Sequence, residues 1–295
     1  MTHETLPFVK GHGTENDFVL VPDPEGVHDL SDAQVRLLAD RQAGIGGDGV
    51  IRVVPTRHAT EPAVRALADD APWFMDYRNA DGSRAEMCGN GTRVFAAFLQ
   101  NRGWASSDTI PIATRAGIKT AHVERGAHDE VTYAVEVGPW SLVDPGAEAQ
   151  GYDTLVALPG LEPLPGLSFS LGNPHVVVVI PEHVDLMSLD LTQPPVLNPA
   201  PEGGANVELA QPLGPGHLQM RVHERGVGET RSCGTGAAAA ALALTVWSGA
   251  DRNDATWRVD VPGGTLTVRA RPDQRVELAG PAVLVAEGQV WVPSA

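Results

Sequence analysis

Two segments decide the fold: CGNGTRVFAAFLQ, from Cys88 to Gln100, and CGTGAAAAALALTVW, from Cys233 to Trp247. Each opens on Cys-Gly-x-Gly and runs on as a helix, expected near residues 91–102 and 236–247. Neither helix shows a polar stripe, and a helix apolar all round is buried on all sides. The rest of the chain reads as many short strands, so each helix is expected inside a curved sheet. Residues 17–21, 73–78, 109–113, 131–137, 175–180 and 217–225 are β-branched or alternating and end at Gly, Pro or Asn. Residues 256–261 and 265–270 flank a Pro-Gly-Gly turn and read as a hairpin. Residues 31–42 open with Ser-x-x-Gln, a capping box that starts a third helix. The Pro- and Gly-rich stretches 139–166 and 193–204 read as loops.

The two segments belong to a longer repeat. Asn79 lies nine residues before Cys88, and Glu224 nine residues before Cys233. Further upstream, Asn16-Asp17-Phe18-Val19 resembles Asn173-Pro174-His175-Val176. The expected fold class is therefore α+β. It has two pseudo-symmetric domains, each a curved, mostly antiparallel, barrel-like sheet around a central apolar helix, with the active site in the cleft between them. The expected division is 1–132 with 280–295 for the half carrying Cys88, and 133–279 for the half carrying Cys233.

Composition narrows the function classes. The chain has 295 residues, 42% of them hydrophobic and 20% charged, as in a globular protein. The net charge, 21 − 37 = −16, argues against nucleic acid or an anionic membrane as partner. No apolar run approaches the about 18 residues of a membrane span, and the N-terminus lacks a basic segment followed by an apolar core; a cytoplasmic location is expected. The lysines are Lys10 and Lys119 alone, which limits any pyridoxal chemistry that needs a Schiff-base lysine. Two cysteines, with no CxxC pair and no HExxH, point to neither a disulfide scaffold nor a metal site. GIGGDG, residues 44–49, has the spacing of a dinucleotide loop, but it follows a helix and precedes a strand, the reverse of what phosphate binding requires. No cofactor is expected.

The chemistry lies in the paired cysteine motif. A cysteine just before a helix sits by unpaired backbone N–H groups and the positive end of the dipole, which favours its thiolate. Glycines beside it let a carboxylate approach the same backbone. Two such elements facing each other would hold one carboxylate between helix N-termini and put a sulfur on each face of the adjoining carbon. That arrangement suits inversion of a stereocentre, with a thiolate as base on one side and a thiol as acid on the other. The helix N-termini stabilise the charge that spreads onto the carboxylate.

The sequence resembles the diaminopimelate epimerase family over nearly its whole length. GHGTENDFV, RQAGIGGDG, MDYRNADGS, MCGNGTR, GNPH, NVE and HERGVGETRSCGTG occur in the family's order. The resemblance implies a cofactor-independent isomerase that interconverts LL- and meso-diaminopimelate in lysine and peptidoglycan precursor synthesis, and a homodimer. It implies Cys88 as proton donor and Cys233 as acceptor in the LL-to-meso direction. Gly89, Asn90, Gly234 and Thr235 would hold the reacting carboxylate. Asn16, Asn79, Asn173, Asn206, Glu224 and Arg225 would recognise the substrate, chiefly its distal end. His175 and Glu224 would tune cysteine ionisation. Two departures stand out: Gly49 replaces a Gln common in the family, and Val94 a second Cys. Two rival readings are a proline racemase-like enzyme, which would not need Glu224, Arg225 and the asparagines, and a non-catalytic dithiol redox protein.

Overall fold

The computed structural model describes residues 3–127 and 130–294. The chain divides into two compact units: one runs to Val135 and resumes at Gly280, and the other is Glu136–Ala279.

In the first unit, His3–Gly13 pairs antiparallel with Asn16–Pro22, which runs parallel to Gly49–Pro55. Gly49–Pro55 is antiparallel to Trp73–Asn79, and that strand runs parallel to Thr109–Thr114. Gly117–Arg125 and the start of Val131–Pro139 continue antiparallel. The helix Gly89–Asn101 is the crossover of the parallel pair Trp73–Asn79 and Thr109–Thr114.

The second unit repeats this ladder. Leu164–Ser170, Pro174–Val179, Asn206–Gly214, His217–Glu224, Thr256–Val261, Gly264–Arg271 and Arg275–Gly280 follow in the same order of parallel and antiparallel pairings. Here the helix Gly234–Ser248 makes the parallel crossover. Asn16 opens its strand and Asn173 immediately precedes the equivalent one, and Asn79 and Glu224 each end the strand that leads to a cysteine.

Strand alternation explains the layers. Phe18 and Leu20 point into the cluster around the Cys88 helix, with Ile51, Met75, Phe95 and Phe98. Val19 and Val21 point the other way, onto Val35 and Leu38 of the helix Asp32–Ala39. That helix starts at Ser31 with the expected capping box formed in both directions. In the second unit, Val207 and Leu209 join an outer cluster, while Glu208 between them faces the Cys233 helix at Gly236. The five alanines 237–241 are all essentially inaccessible. Alanine is the strongest helix former, and its short side chain lets strands approach closely.

Two expectations change. The Cys88 helix is buried as expected, but not apolar throughout: Asn90, Thr92 and Arg93 are buried with it. The supposed loops 139–166 and 193–204 contain paired structure, with Val196–Asn198 antiparallel to Thr154–Ala157. Proline misled the reading there, because edge positions of a sheet tolerate it. Val283–Pro293 forms a long strand antiparallel to His3–Gly13 of the first unit. Among the described residues no helix is long and apolar enough to cross a membrane.

Candidate active site

In the first unit Cys88 is the N-cap of its helix and is half-buried. Its thiol donates to Asn16 Oδ1 at 3.8 Å. The same oxygen accepts from Asn90 Nδ2 at 3.1 Å, and Asn16 Nδ2 donates to Asp48 Oδ2 at 2.6 Å. Asp48 is held in turn by Arg41 at 2.8 Å. Burial, and then the neighbouring Asp17 carboxylate, push the Asp48 carboxyl above the usual range. Asn16, Cys88 and Asn90 thus form one hydrogen-bonded group. Asn79 is joined to Tyr77, whose hydroxyl donates to Asn79 Oδ1 at 3.0 Å.

Gly49, opposite Asn79 in the ladder, has no room for a side chain. A Cβ there would lie 2.5 Å from Tyr77 Cε2 and 2.7 Å from the Arg78 carbonyl oxygen. The Tyr77 ring covers the glycine and its hydroxyl reaches Asn79, which gives the departure at Gly49 a structural reason.

In the second unit Cys233 is likewise the N-cap of its helix and is buried. Its sulfur accepts from the Gly236 N–H at 3.4 Å and lies 3.6 Å from Thr235 Oγ1. Asn173 Nδ2 donates to Thr235 Oγ1 at 3.5 Å. His175 is fully buried, with Nδ1 2.7 Å from Glu208 Oε1 and Nε2 2.9 Å from Asn173 Oδ1. Asn173, His175, Glu208, Cys233 and Thr235 are therefore one cluster. Asn206 serves differently: its Oδ1 accepts from the Arg225 backbone N–H at 2.9 Å and so fixes the strand end that carries Glu224 and Arg225. Glu224 is half-buried and accepts from the Thr230 hydroxyl. Arg225 is exposed, donates to the Gly203 carbonyl at 3.2 Å, and lines a mainly apolar cavity of about 500 Å³ with Leu197, Val207 and Val227.

One electrostatic expectation is reversed. The helix N-terminus was expected to favour thiolate, but the Cys233 thiol is pushed well above its ordinary value. Burial is the main cause, followed by the Glu224 and Glu208 carboxylates; the Thr235 hydroxyl and Gly236 N–H oppose them without prevailing. Packing also requires the last glycine of each motif. A Cβ at Gly91 would meet Met75 Cε at 2.9 Å, and one at Gly236 would meet Glu208 Oε1 at 2.7 Å. The protein's own side chains fill those approaches.

The sequence reading missed Asp48, Arg93 and Glu208. All three lie inside motifs quoted above, GIGGDG, MCGNGTR and NVE. Among the described residues no group of three or more His, Cys, Asp or Glu is arranged to hold a metal ion.

The family model described as diaminopimelate epimerase matches residues 8–143 and 167–285. A Streptomyces coelicolor protein named diaminopimelate epimerase is 48% identical over 96% of this chain and 95% of its own length. A Thermobifida fusca protein of the same name is 47% identical over 97% and 98%. Among solved structures, a Bacillus anthracis phenazine biosynthesis protein of the PhzF family superposes with a TM-score of 0.68 at 18% identity, covering 97% of this chain and 99% of that one. A hydroxyproline epimerase from Agrobacterium vitis gives 0.65 at 14% identity over 98% and 93%. At those identities the structural likenesses show the shared fold alone.

Proposed function

This chain belongs to the diaminopimelate epimerase family, and from that premise we propose that it inverts one α-carbon of diaminopimelate by a two-base mechanism using Cys88 and Cys233. It is an isomerase. The observation that carries the two-base reading is the placing of each cysteine as the N-cap of a buried helix, in matching positions of two repeated ladders.

The local geometry supports a division of labour. Cys88 donates its hydrogen to Asn16 Oδ1, as a thiol acid does, whereas the Cys233 sulfur accepts from a backbone N–H, as a base does. Cys233 must still lose its proton. Glu224 is one of the groups that oppose this, so a substrate ammonium docked on Glu224 would cancel the opposition and release the thiolate where it is needed. Gly89, Asn90, Gly234 and Thr235, in the first turn of each helix, would bind the reacting carboxylate through backbone N–H groups. Asn79, Asn173 and Arg225 would recognise the distal end, with Arg225 gripping its carboxylate in two hydrogen bonds. Family membership also supports a homodimer acting in lysine and cell-wall precursor synthesis in the cytoplasm.

Reduced protein incubated with LL-diaminopimelate in heavy water should yield meso product with deuterium at one α-carbon. Absence of both the label and the meso product would overturn the proposal and favour a non-catalytic dithiol. Proline racemised in the same assay, with diaminopimelate untouched, would favour the racemase-like alternative. Arg225→Lys should raise KM about tenfold at an unchanged melting temperature, because an ammonium cannot replace the bidentate fork and the side chain is exposed. An unchanged KM would remove Arg225 from the substrate clamp.

A further inference from the structure

Four arginines of the described residues are buried: Arg52, Arg78, Arg93 and Arg221. Three have carboxylate partners. Arg52 pairs with Asp23 at 2.7 Å, Arg78 with Asp32 at 3.2 Å and Arg221 with Glu229 at 2.7 Å. Arg93, with 0% of its surface accessible, is the exception. Its Nη1 donates to the Pro281 carbonyl at 2.7 Å, and its Nη2 to Asn90 Oδ1 at 2.5 Å and Thr14 Oγ1 at 3.3 Å. Its Nε has no hydrogen-bond partner. Every acceptor is neutral.

A buried charge without a counter-ion is costly. Burial accordingly lowers the Arg93 pKa to about 10, while Cys88 acts in the opposite sense and favours the charged guanidinium. The group remains a cation at neutral pH, in a chain whose net charge is −16. A fold that needed only to fill this space would do so with an apolar side chain at lower cost.

We infer that Arg93 is a positioning residue of the Cys88 half-site: it fixes the Asn90–Asn16 pair that addresses the sulfur, and it is the standing counter-charge for the anions that arise at the amino end of its helix. The inference rests on the reading of Cys88 as an acid–base group. The orientation argument is direct. Arg93 has only donors, so the Asn90 carbonyl must face it, and Asn90 Nδ2 must then face Asn16 Oδ1. That leaves Asn16 Oδ1 as the acceptor for the Cys88 thiol. The charge argument follows from helix position. Arg93 lies five residues past the N-cap, so its field adds to that of the first-turn N–H groups. Both favour a thiolate on Cys88 and a carboxylate docked beside it.

The test reads Cys88 alone. In Cys233→Ala protein, iodoacetamide alkylation of Cys88 is followed by intact mass at pH 8, with Arg93 kept, changed to Lys or changed to Gln. The Lys variant should react within about threefold of the parent, because the charge survives. The Gln variant, checked for fold by circular dichroism, should react about tenfold more slowly, since reactivity follows the thiolate fraction. Equal rates for Gln and the parent would overturn the inference, and so would a Lys variant as slow as Gln. Should the Gln variant fail to fold, the pH dependence decides. In Cys233→Ala protein with Arg93 kept, alkylation of Cys88 should be half-maximal below the ordinary thiol value of about 8.5, and a midpoint at or above it would sink the claim. No arm uses substrate, so a failure here is distinct from a failure to epimerise diaminopimelate.

Discussion

Replacing Cys88 or Cys233 by alanine is expected to lower kcat on diaminopimelate about a thousandfold or more while leaving the fold in place. A positioned acid or base contributes roughly 10²–10⁴-fold, and inversion needs both in each turnover. The fold should tolerate the changes because neither sulfur is a structural link. Both cysteines are free thiols, and the helix hydrogen bonds beside them run from Thr92 N and Ala237 N to the cysteine carbonyls, which alanine retains. The isotopic signature should be sharper than the rate. Without Cys88, Cys233 can still remove the α-proton of the isomer that presents it and return a deuteron to the same face. Exchange without inversion should therefore survive in one isomer, and in the opposite isomer for the other variant. Either variant keeping more than about a tenth of kcat, with melting curves like the parent's, would rule out a two-thiol mechanism.

The elements that position these sulfurs were legible because their signals are local. The Ser31–Gln34 box was readable since both of its hydrogen bonds join residues three apart. The two central helices showed as apolar runs, at residues 94–99 and 237–244. Misreadings arose where a long-range partner decides. Val196–Asn198 is a strand only because Thr154–Ala157 pairs with it. Its own sequence, set among prolines, gives no such hint.

The site divides along the same line. Cys88 and Cys233 declare themselves through repetition. Arg93 does not, since an arginine in the first turns of a helix reads as a solvent-facing residue, and only burial shows that it lacks a counter-ion. Glu208 is hidden for a similar reason: it alternates with Val207 and Leu209, the ordinary pattern of a strand with a wet face, yet here both faces are covered. Asp48 is hidden among glycines, although its carboxylate holds the Asn16 amide. Thiol ionisation was also misjudged at Cys233, because the dipole argument ignored desolvation and two nearby carboxylates.

Those carboxylates lead to the second large effect. His175→Ala is expected to destabilise the protein by about 3 kcal/mol, because it removes the imidazole that hydrogen-bonds a buried carboxyl group. Glu208 Oε2 already has no hydrogen-bond partner, and Oε1 would lose the imidazole at 2.7 Å, so the whole carboxylate would be stranded with 0% of its side chain accessible. At roughly 2–4 °C per kcal/mol, the melting temperature should fall by about 10 °C. The double change His175→Leu with Glu208→Leu should melt higher than His175→Ala alone, because it removes the stranded charge as well as its partner. A His175→Ala protein melting within about 2 °C of the parent would mean that the pair does not stabilise the Cys233 unit. The same loss reaches the chemistry. Glu208 already disfavours the Cys233 thiolate, and without the imidazole its carboxylate would do so more strongly. Alkylation of Cys233 in His175→Ala, measured with Cys88 replaced by alanine, should therefore slow, whereas a loosened structure would expose the sulfur and speed it up. The direction of that rate change separates an electrostatic role for the buried pair from a purely structural one.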